Sequence, residues 1–378
     1  MTAPDGTTMK MLRCKTILAV PLAFLACACA SHAGENPAPD SLRQSRNSFV
    51  ALPYAYYTPE TKFAFGAGSI YSFRPRGGAP EARPSNLRLA LTGTQLKQFI
   101  VAFLPELYFE NERYFLNGYI GCYRYPDKFW GVGDGTPDGA EEGYVPDWLK
   151  FNVNLQRLIA PGLYIGLRYQ YEYMSLRETD PEGALRLGAV PGSSGGVSSG
   201  IGVILSHDTR DNIYQPSKGF YNQVYAVVFA RPTGSDYDFN LLSVDLRRYF
   251  SLFGSHVLAV QTFDSFISGE APFQMLGMYG SSYWMRGYYS GRYRDKHLIT
   301  FQTEYRMPVY WRFGAAAFAG LGAVSDEAAT FRADRFRFSF GAGARFMFDR
   351  RERINARLDV GFDEDGNPGI YALVAEAF

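Results

Sequence analysis

The strongest constraint in this chain is an alternation of apolar and polar residues, sustained in runs that are long for strands. From Leu163 to Tyr173 the odd positions are apolar or aromatic and the even ones mostly small or polar. Phe336, Phe338, Phe340, Ala342, Ala344, Phe346 and Phe348 share one face, with Arg337, Ser339, Gly341, Gly343 and Arg345 on the other. Ile354 to Phe362 repeats the pattern, with Arg353, Asn355, Arg357, Asp359 and Gly361 on the polar face. A period of two means strands with one greasy face. No sustained helical period competes with it.

Alternation alone does not say which solvent the polar face meets. Length does more. The runs cover about 9–12 residues, the span of a tilted transmembrane strand, whereas ordinary strands average about 5–6. Tyr and Phe collect near the run ends, as an interfacial girdle requires. Sixteen strands are expected, near 48–57, 61–73, 86–95, 98–109, 113–123, 147–159, 162–175, 198–207, 219–231, 238–251, 255–266, 296–307, 313–324, 335–348, 352–362 and 369–378. The long connections 124–146, 176–197, 267–295 and 325–334 all follow odd-numbered strands. The connections that follow even-numbered strands are mostly tight, such as Glu110-Asn111-Glu112 and Ala160-Pro161. Long loops on one side and short turns on the other is the pattern of an outer-membrane barrel; 74–85 and 208–218 break it. The fold class is therefore all-β, a sixteen-stranded antiparallel transmembrane barrel in one domain, 48–378.

The N-terminus fits export. Lys10, Arg13 and Lys15 precede an apolar run from Ile17 to Ala30, and Ser31-His32-Ala33 offers small residues before Gly34. Residues 1–33 read as a signal peptide and 34–47 as a short periplasmic segment. The first eight residues carry no basic charge, which fits a start at Met9 or Met11. Phe24-Leu25-Ala26-Cys27 is a poor lipobox. Removing 1–33 leaves 35 of 38 basic and 36 of 37 acidic side chains, and Cys122 as the one remaining cysteine. A formal net charge of +1 excludes a strongly basic nucleic-acid binder. Four cysteines exclude a disulfide scaffold, and 16% aromatic residues exclude disorder. No 18-residue apolar run lies beyond residue 33, which excludes helical spans there.

Several segments, in order, resemble the BamA/TamA-like outer-membrane assembly barrel superfamily, the bacterial surface antigen family. Asp208, Arg210 and Asp211, followed by Pro216 and Gly219, resemble that family's turn between its eighth and ninth strands. Gly234-Ser235-Asp236 with Phe239 resembles the next surface loop. Met285-Arg286-Gly287-Tyr288 resembles its sixth-loop motif, (V/I)RG(F/Y). Gln302 to Arg306 with Pro308 resembles the twelfth strand. Arg357 to Gly361, then Tyr371 and Phe378, resemble the closing strands. The resemblance covers roughly 200–378. Two departures stand out: no periplasmic repeats precede the barrel, and Gly320 stands where the family often carries an acid. Glu376 is also unusual in a final strand.

The resemblance implies that the sixth loop folds into the lumen and that its arginine pairs with an acidic wall residue. Strand parity turns Glu304 and Asp359 inward, Glu304 being the first choice and Asp359 the second. Two alternatives stay open: a solvated Arg286, and lumen carboxylates satisfied by Arg306 and Arg357. Gly287 removes a side chain where the loop must approach the wall. The implied function is outer-membrane protein insertion, translocation or envelope biogenesis in a Gram-negative bacterium. Its partners would be outer-membrane lipid, client outer-membrane proteins and a periplasmic protein. The rival is a passive pore or structural surface-antigen barrel.

Catalysis has little support. Gly192-Ser193-Ser194-Gly195-Gly196 matches G-x-S-x-G but has no following helix. His207, His256 and His297 lack ligand spacing. Gly131 to Gly135 reads as a loop rather than a phosphate cradle. No enzyme, metal or cofactor is expected.

Overall fold

The computed structural model describes residues 47–74, 83–350 and 353–378. The expected signal peptide 1–33, and all of 34–47 except Asn47, lie outside the described residues. The strands are β1 (Ser48–Thr58), β2 (Lys62–Phe73), β3 (Ser85–Thr94), β4 (Phe99–Phe109), β5 (Tyr114–Arg124), β6 (Asp127–Phe129), β7 (Glu142–Ala160), β8 (Leu163–Thr179), β9 (Gly196–Asp208), β10 (Gly219–Phe229), β11 (Phe239–Ser251), β12 (Val257–Gly269), β13 (Gly277–Tyr279), β14 (Tyr293–Asp295), β15 (His297–Tyr310), β16 (Phe313–Ser325), β17 (Arg337–Asp349), β18 (Ile354–Phe362) and β19 (Pro368–Val374). Setting aside the three-residue β6, β13 and β14, sixteen long strands each pair antiparallel with the next, and β19 returns to β1. The sheet closes on itself as a barrel through a β1–β19 seam of one paired position, while the other neighbouring strands pair along most of their length, as backbone in lipid requires. No helix among the described residues is long and apolar enough to cross a membrane.

The two faces are inverted relative to a soluble sandwich. On β17, Phe338, Phe340 and Phe348 are exposed to the outside while Ser339 and Arg345 are buried inside. On β15, Phe301 points out, and Thr300, Gln302, Glu304 and Arg306 are buried within the lumen. On these strands the phenylalanines belong to the lipid face and the charges to the interior. A separate apolar cluster, including Phe129, Tyr144, Trp148, Phe229, Phe239 and Phe273, fills the barrel at the long-loop end.

Three boundaries differ from the sequence expectation. The strand expected at 147–159 starts at Glu142, and the one expected at 162–175 runs to Thr179. Glu142, Tyr144 and Pro146 continue the inward parity of Trp148. Pro146 sits at a register irregularity, where its missing N–H is tolerated. Part of the expected loop 124–146 is therefore a raised hairpin, edged by β6.

The third difference concerns the terminal strand. It stops at Val374 rather than running to Phe378. Ala375 takes φ +66, and Glu376, Ala377 and Phe378 turn inward and are buried. Ala377 and Phe378 pack against Tyr249 and Ala259 inside the barrel. Phe378 therefore does not close the wall. Ile370 and Val374 face out; the same parity would send Glu376 into lipid, where a carboxylate is costly. Turning inward gives it Arg345 and Asn355 instead. β1 and β19 pair at one position, Tyr57 opposite Ala372, whereas β1 and β2 pair along their whole length.

Candidate functional site

The connection 270–296 between β12 and β15 enters the lumen. Its stem is the small hairpin of β13 and β14, and its tip carries Met285-Arg286-Gly287-Tyr288. Two glycines let the tip reach the wall. A Cβ on Gly287 would lie 2.6 Å from the Phe362 carbonyl carbon, and one on Gly361 would lie 2.7 Å from that of Arg286. Gly287 also holds φ +119, a region that favours glycine. Met285 adopts φ +52 and is fully buried among Tyr279, Tyr288, Tyr293, Leu298 and Val324. A Cβ on Gly320 would sit 2.8 Å from the Met285 sulfur. The glycine in the slot where an acid was expected thus makes room for the loop's methionine.

Arg286 is enclosed. Its Nη2 donates to Glu304 Oε2 at 2.6 Å, and its Nη1 to Asp359 Oδ2 at 2.6 Å. Its guanidinium carbon lies 3.5 Å from the centre of the Phe318 ring. All three charged side chains have no solvent exposure. The sequence reading ranked Glu304 and Asp359 as alternatives; in the structure the fork spans both. The other pairings coexist with it. Arg306 Nε donates to Glu304 at 2.7 Å, and Arg357 Nη1 to Asp359 at 2.8 Å. Arg345 joins Asp359 to Glu376, donating to the latter at 2.8 Å. Four guanidiniums and three carboxylates form one buried network. Burial of such charges is compensated only when each is paired and hydrogen-bonded.

The closing strands hold the loop backbone as well. The Gly287 N–H donates to the Tyr371 hydroxyl at 3.0 Å, and Tyr288 donates from its hydroxyl to the Phe338 carbonyl at 3.2 Å. Arg306 Nη2 donates to the Phe378 carbonyl at 2.7 Å. Tyr371 and Phe378 thus both face the lumen and serve the network rather than the seam.

The turn motif forms a separate unit at the short-turn end. Arg210 grips Asp208 with both nitrogens, at 3.0 and 2.8 Å. Asp211 accepts from the Ser217 and Lys218 N–H groups, the Ser217 hydroxyl and Arg353. Partial burial pushes the Asp211 carboxyl up, but these donors outweigh it and hold it well below the usual carboxylate range. Gly219 takes φ +95 against Thr209. Pro216 offers its carbonyl to Arg306 at 3.4 Å, which ties the turn to the lumen network.

The sequence reading missed the roles of Arg345, Phe318 and Glu376. It also missed a second anchor at the long-loop end. There Tyr289 donates to Asp127 at 3.0 Å, and the Ser290 N–H donates to Glu60 at 3.0 Å. No group of His, Cys, Asp and Glu suited to a metal occurs among the described residues. Gly192 to Gly195 lies between β8 and β9, and Gly196 opens β9, so a strand and not a helix follows.

A closed antiparallel barrel with an apolar outer face and its own loop pinned inside by a buried arginine has the make-up of a transmembrane β-barrel. The family model described as the Omp85 superfamily domain matches residues 129–350. The chain belongs to the Omp85 superfamily, which places it in the general class of bacterial outer-membrane assembly and translocation barrels. Among solved structures it is similar to BamA from Haemophilus ducreyi lacking POTRA domains 1–3, with TM-score 0.61 and 13% identity over 87% of this chain and 70% of that one. It is also similar to CdiB from Acinetobacter baumannii, with TM-score 0.54 and 12% identity over 87% of this chain and 59% of that one. At these identities the likeness is one of fold. No curated protein matches the sequence.

Proposed function

We propose that this barrel inserts or translocates client outer-membrane proteins by offering the edge of β1 to a client strand. The carrying observation is the seam, where β1 and β19 pair at Tyr57 and Ala372 alone. An unpaired edge is a template for β-augmentation. The tail that turns inward after Val374 is what leaves that edge free. In this reading the Arg286 network keeps the loop tip fixed and the lumen shut while the seam works, and the short-turn end faces the periplasm of a Gram-negative cell. A periplasmic protein would present the client. The loop pinned inside the lumen weighs against the passive pore.

The test uses the pure protein in liposomes with an unfolded test barrel. Faster folding of the test barrel supports the reading. A disulfide engineered by Tyr57→Cys with Ala372→Cys should abolish the acceleration, and reduction should restore it. No acceleration by the unlocked protein overturns the proposal.

A further inference from the structure

The short-turn end of the barrel holds a cavity of about 460 Å³ whose lining includes Arg306, Arg312, Arg345, Arg353, Trp311 and Phe313. Three of these arginines have carboxylate partners: Arg306 and Arg345 belong to the buried network, and Arg353 holds Asp211. Arg312 differs. It donates to the Phe348 carbonyl at 3.1 Å and the Met347 carbonyl at 3.5 Å, and its buried Nε has no partner. It meets no carboxylate among the described residues. This cavity therefore carries an uncompensated guanidinium.

Trp311 is the second observation. Trp311 and Arg312 form the two-residue turn between Tyr310 and Phe313. Trp311 sits at φ +52. A two-residue turn with a positive φ at its first position favours glycine there, and a bulky residue is disfavoured in that region. The tryptophan is nevertheless 63% exposed, between Tyr310 and the lipid-facing Phe313. Its ring lies 6.3 Å from Phe313 and 6.2 Å from Phe346, themselves 5.2 Å apart. The turn thus presents three rings and, 5.1 Å from the Trp311 ring, a guanidinium with no carboxylate partner. Tryptophan at a membrane interface suits the headgroup level, and basic pockets there suit anionic headgroups.

The geometry points to a binding site for one anionic phospholipid of the turn-side leaflet at the β15–β16 turn, with its phosphate on Arg312 and an acyl chain along Trp311, Phe313 and Phe346. A guanidinium matches phosphate oxygens bidentately, and the aromatic cluster is continuous with the surface that already faces lipid. The reading stands apart from the client-strand proposal and survives its failure.

The test is native mass spectrometry of the full chain released from nanodiscs of mixed phosphatidylglycerol and phosphatidylethanolamine. The wild type should retain one phosphatidylglycerol, about fivefold over phosphatidylethanolamine, the preference one basic side chain confers at a charged surface. Arg312→Gln should remove that preference while heat-modifiable gel mobility stays unchanged. Trp311→Gly should lower retention yet raise the unfolding midpoint, because it relieves the turn; a merely structural tryptophan would leave retention alone. Equal retention of both lipids overturns the proposal. So does Arg312-dependent protection by inorganic phosphate without lipid, which would make this a free-phosphate site. Displacement of the lipid by an acidic peptide at low micromolar concentration would assign the cavity to a protein partner and overturn it too.

Discussion

Removing Glu304 should damage the barrel more than removing Arg286, although the two are bonded to each other. The reason is the unequal count in the network. With Arg286→Ala three guanidiniums face three carboxylates. Glu304 keeps Arg306, Asp359 keeps Arg345 and Arg357, and Glu376 keeps Arg345. With Glu304→Ala four guanidiniums share Asp359 and Glu376, and Arg306 loses its 2.7 Å partner. Hydrogen bonds to charged groups contribute about 1.5–3 kcal/mol each, and Arg286 makes two, besides its stack on Phe318. Relief of the surplus cation offsets part of that loss. Arg286→Ala should therefore cost about 3 kcal/mol, the low end for breaking a buried pair, and Glu304→Ala about 5 kcal/mol, the high end. The double variant should cost less than the two single losses added, because neither partner is left stranded.

The assay is urea unfolding of the detergent-solubilised barrel, followed by tryptophan fluorescence and by heat-modifiable gel mobility. Loop protection against a protease added from the long-loop side reads the same network independently. Arg286→Lys should not restore the wild type, since one ammonium cannot span carboxylates on β15 and β18 as the fork does. A Glu304→Ala loss equal to or smaller than that of Arg286→Ala would refute the charge-count reasoning. Unchanged mobility and unchanged protection in both variants would refute the anchor itself.

Gly320→Ala should press on the Met285 sulfur, cost about 1–3 kcal/mol by overpacking, and loosen the loop to protease; adding Met285→Ala should return most of the loss. Gly287→Ala should expose the loop tip to cleavage, because its Cβ would overlap the Phe362 backbone and its φ of +119 disfavours any side chain. Asp211 has a folded pKa below its unfolded value of about 3.9, so its contribution is present above about pH 4 and is lost as pH falls through the folded value. The gap in urea midpoint between wild type and Asp211→Asn should thus be full near about pH 6 and shrink below about pH 3; a gap that widens in acid would contradict the sign.

Period two was enough to read the wall. It turned Glu304 and Asp359 inward from parity alone, and it put Arg345 on the same face of its strand. It could not show that these three meet, because the meeting depends on closure of the barrel and on the loop crossing its lumen. Arg286 is 73 residues from Asp359 and 18 from Glu304, and no local pattern measures either distance. The terminal turn was harder still. Ala375 takes a left-handed conformation for which alanine gives no signal, and the alternation of β19 points straight on. Glu376 was the one clue, since a carboxylate on the lipid face of a strand conflicts with its surroundings. Such a conflict between residue and parity marks a place where the chain leaves the sheet.

The loop also bears on how a seam of this kind can open. Its Ser290 N–H holds Glu60, in the turn that follows β1, and its Gly287 N–H holds Tyr371 on β19. One loop therefore grips both sides of the seam from within, and the single paired position, Tyr57 with Ala372, lies towards the same long-loop end. At the other end nothing described bridges β1 to β19, because the tail has gone to Arg306 and Arg345. On the proposed function, a client strand would enter from the short-turn end, and the Tyr57–Ala372 pair beside the loop would part last. Glu60→Gln should weaken one of those grips without touching the Arg286 network. If loop and seam are coupled in this way, it should speed client folding in liposomes while leaving the urea midpoint of the barrel nearly unchanged. A slower or equal rate would mean that the loop holds the lumen shut and has no part in the seam.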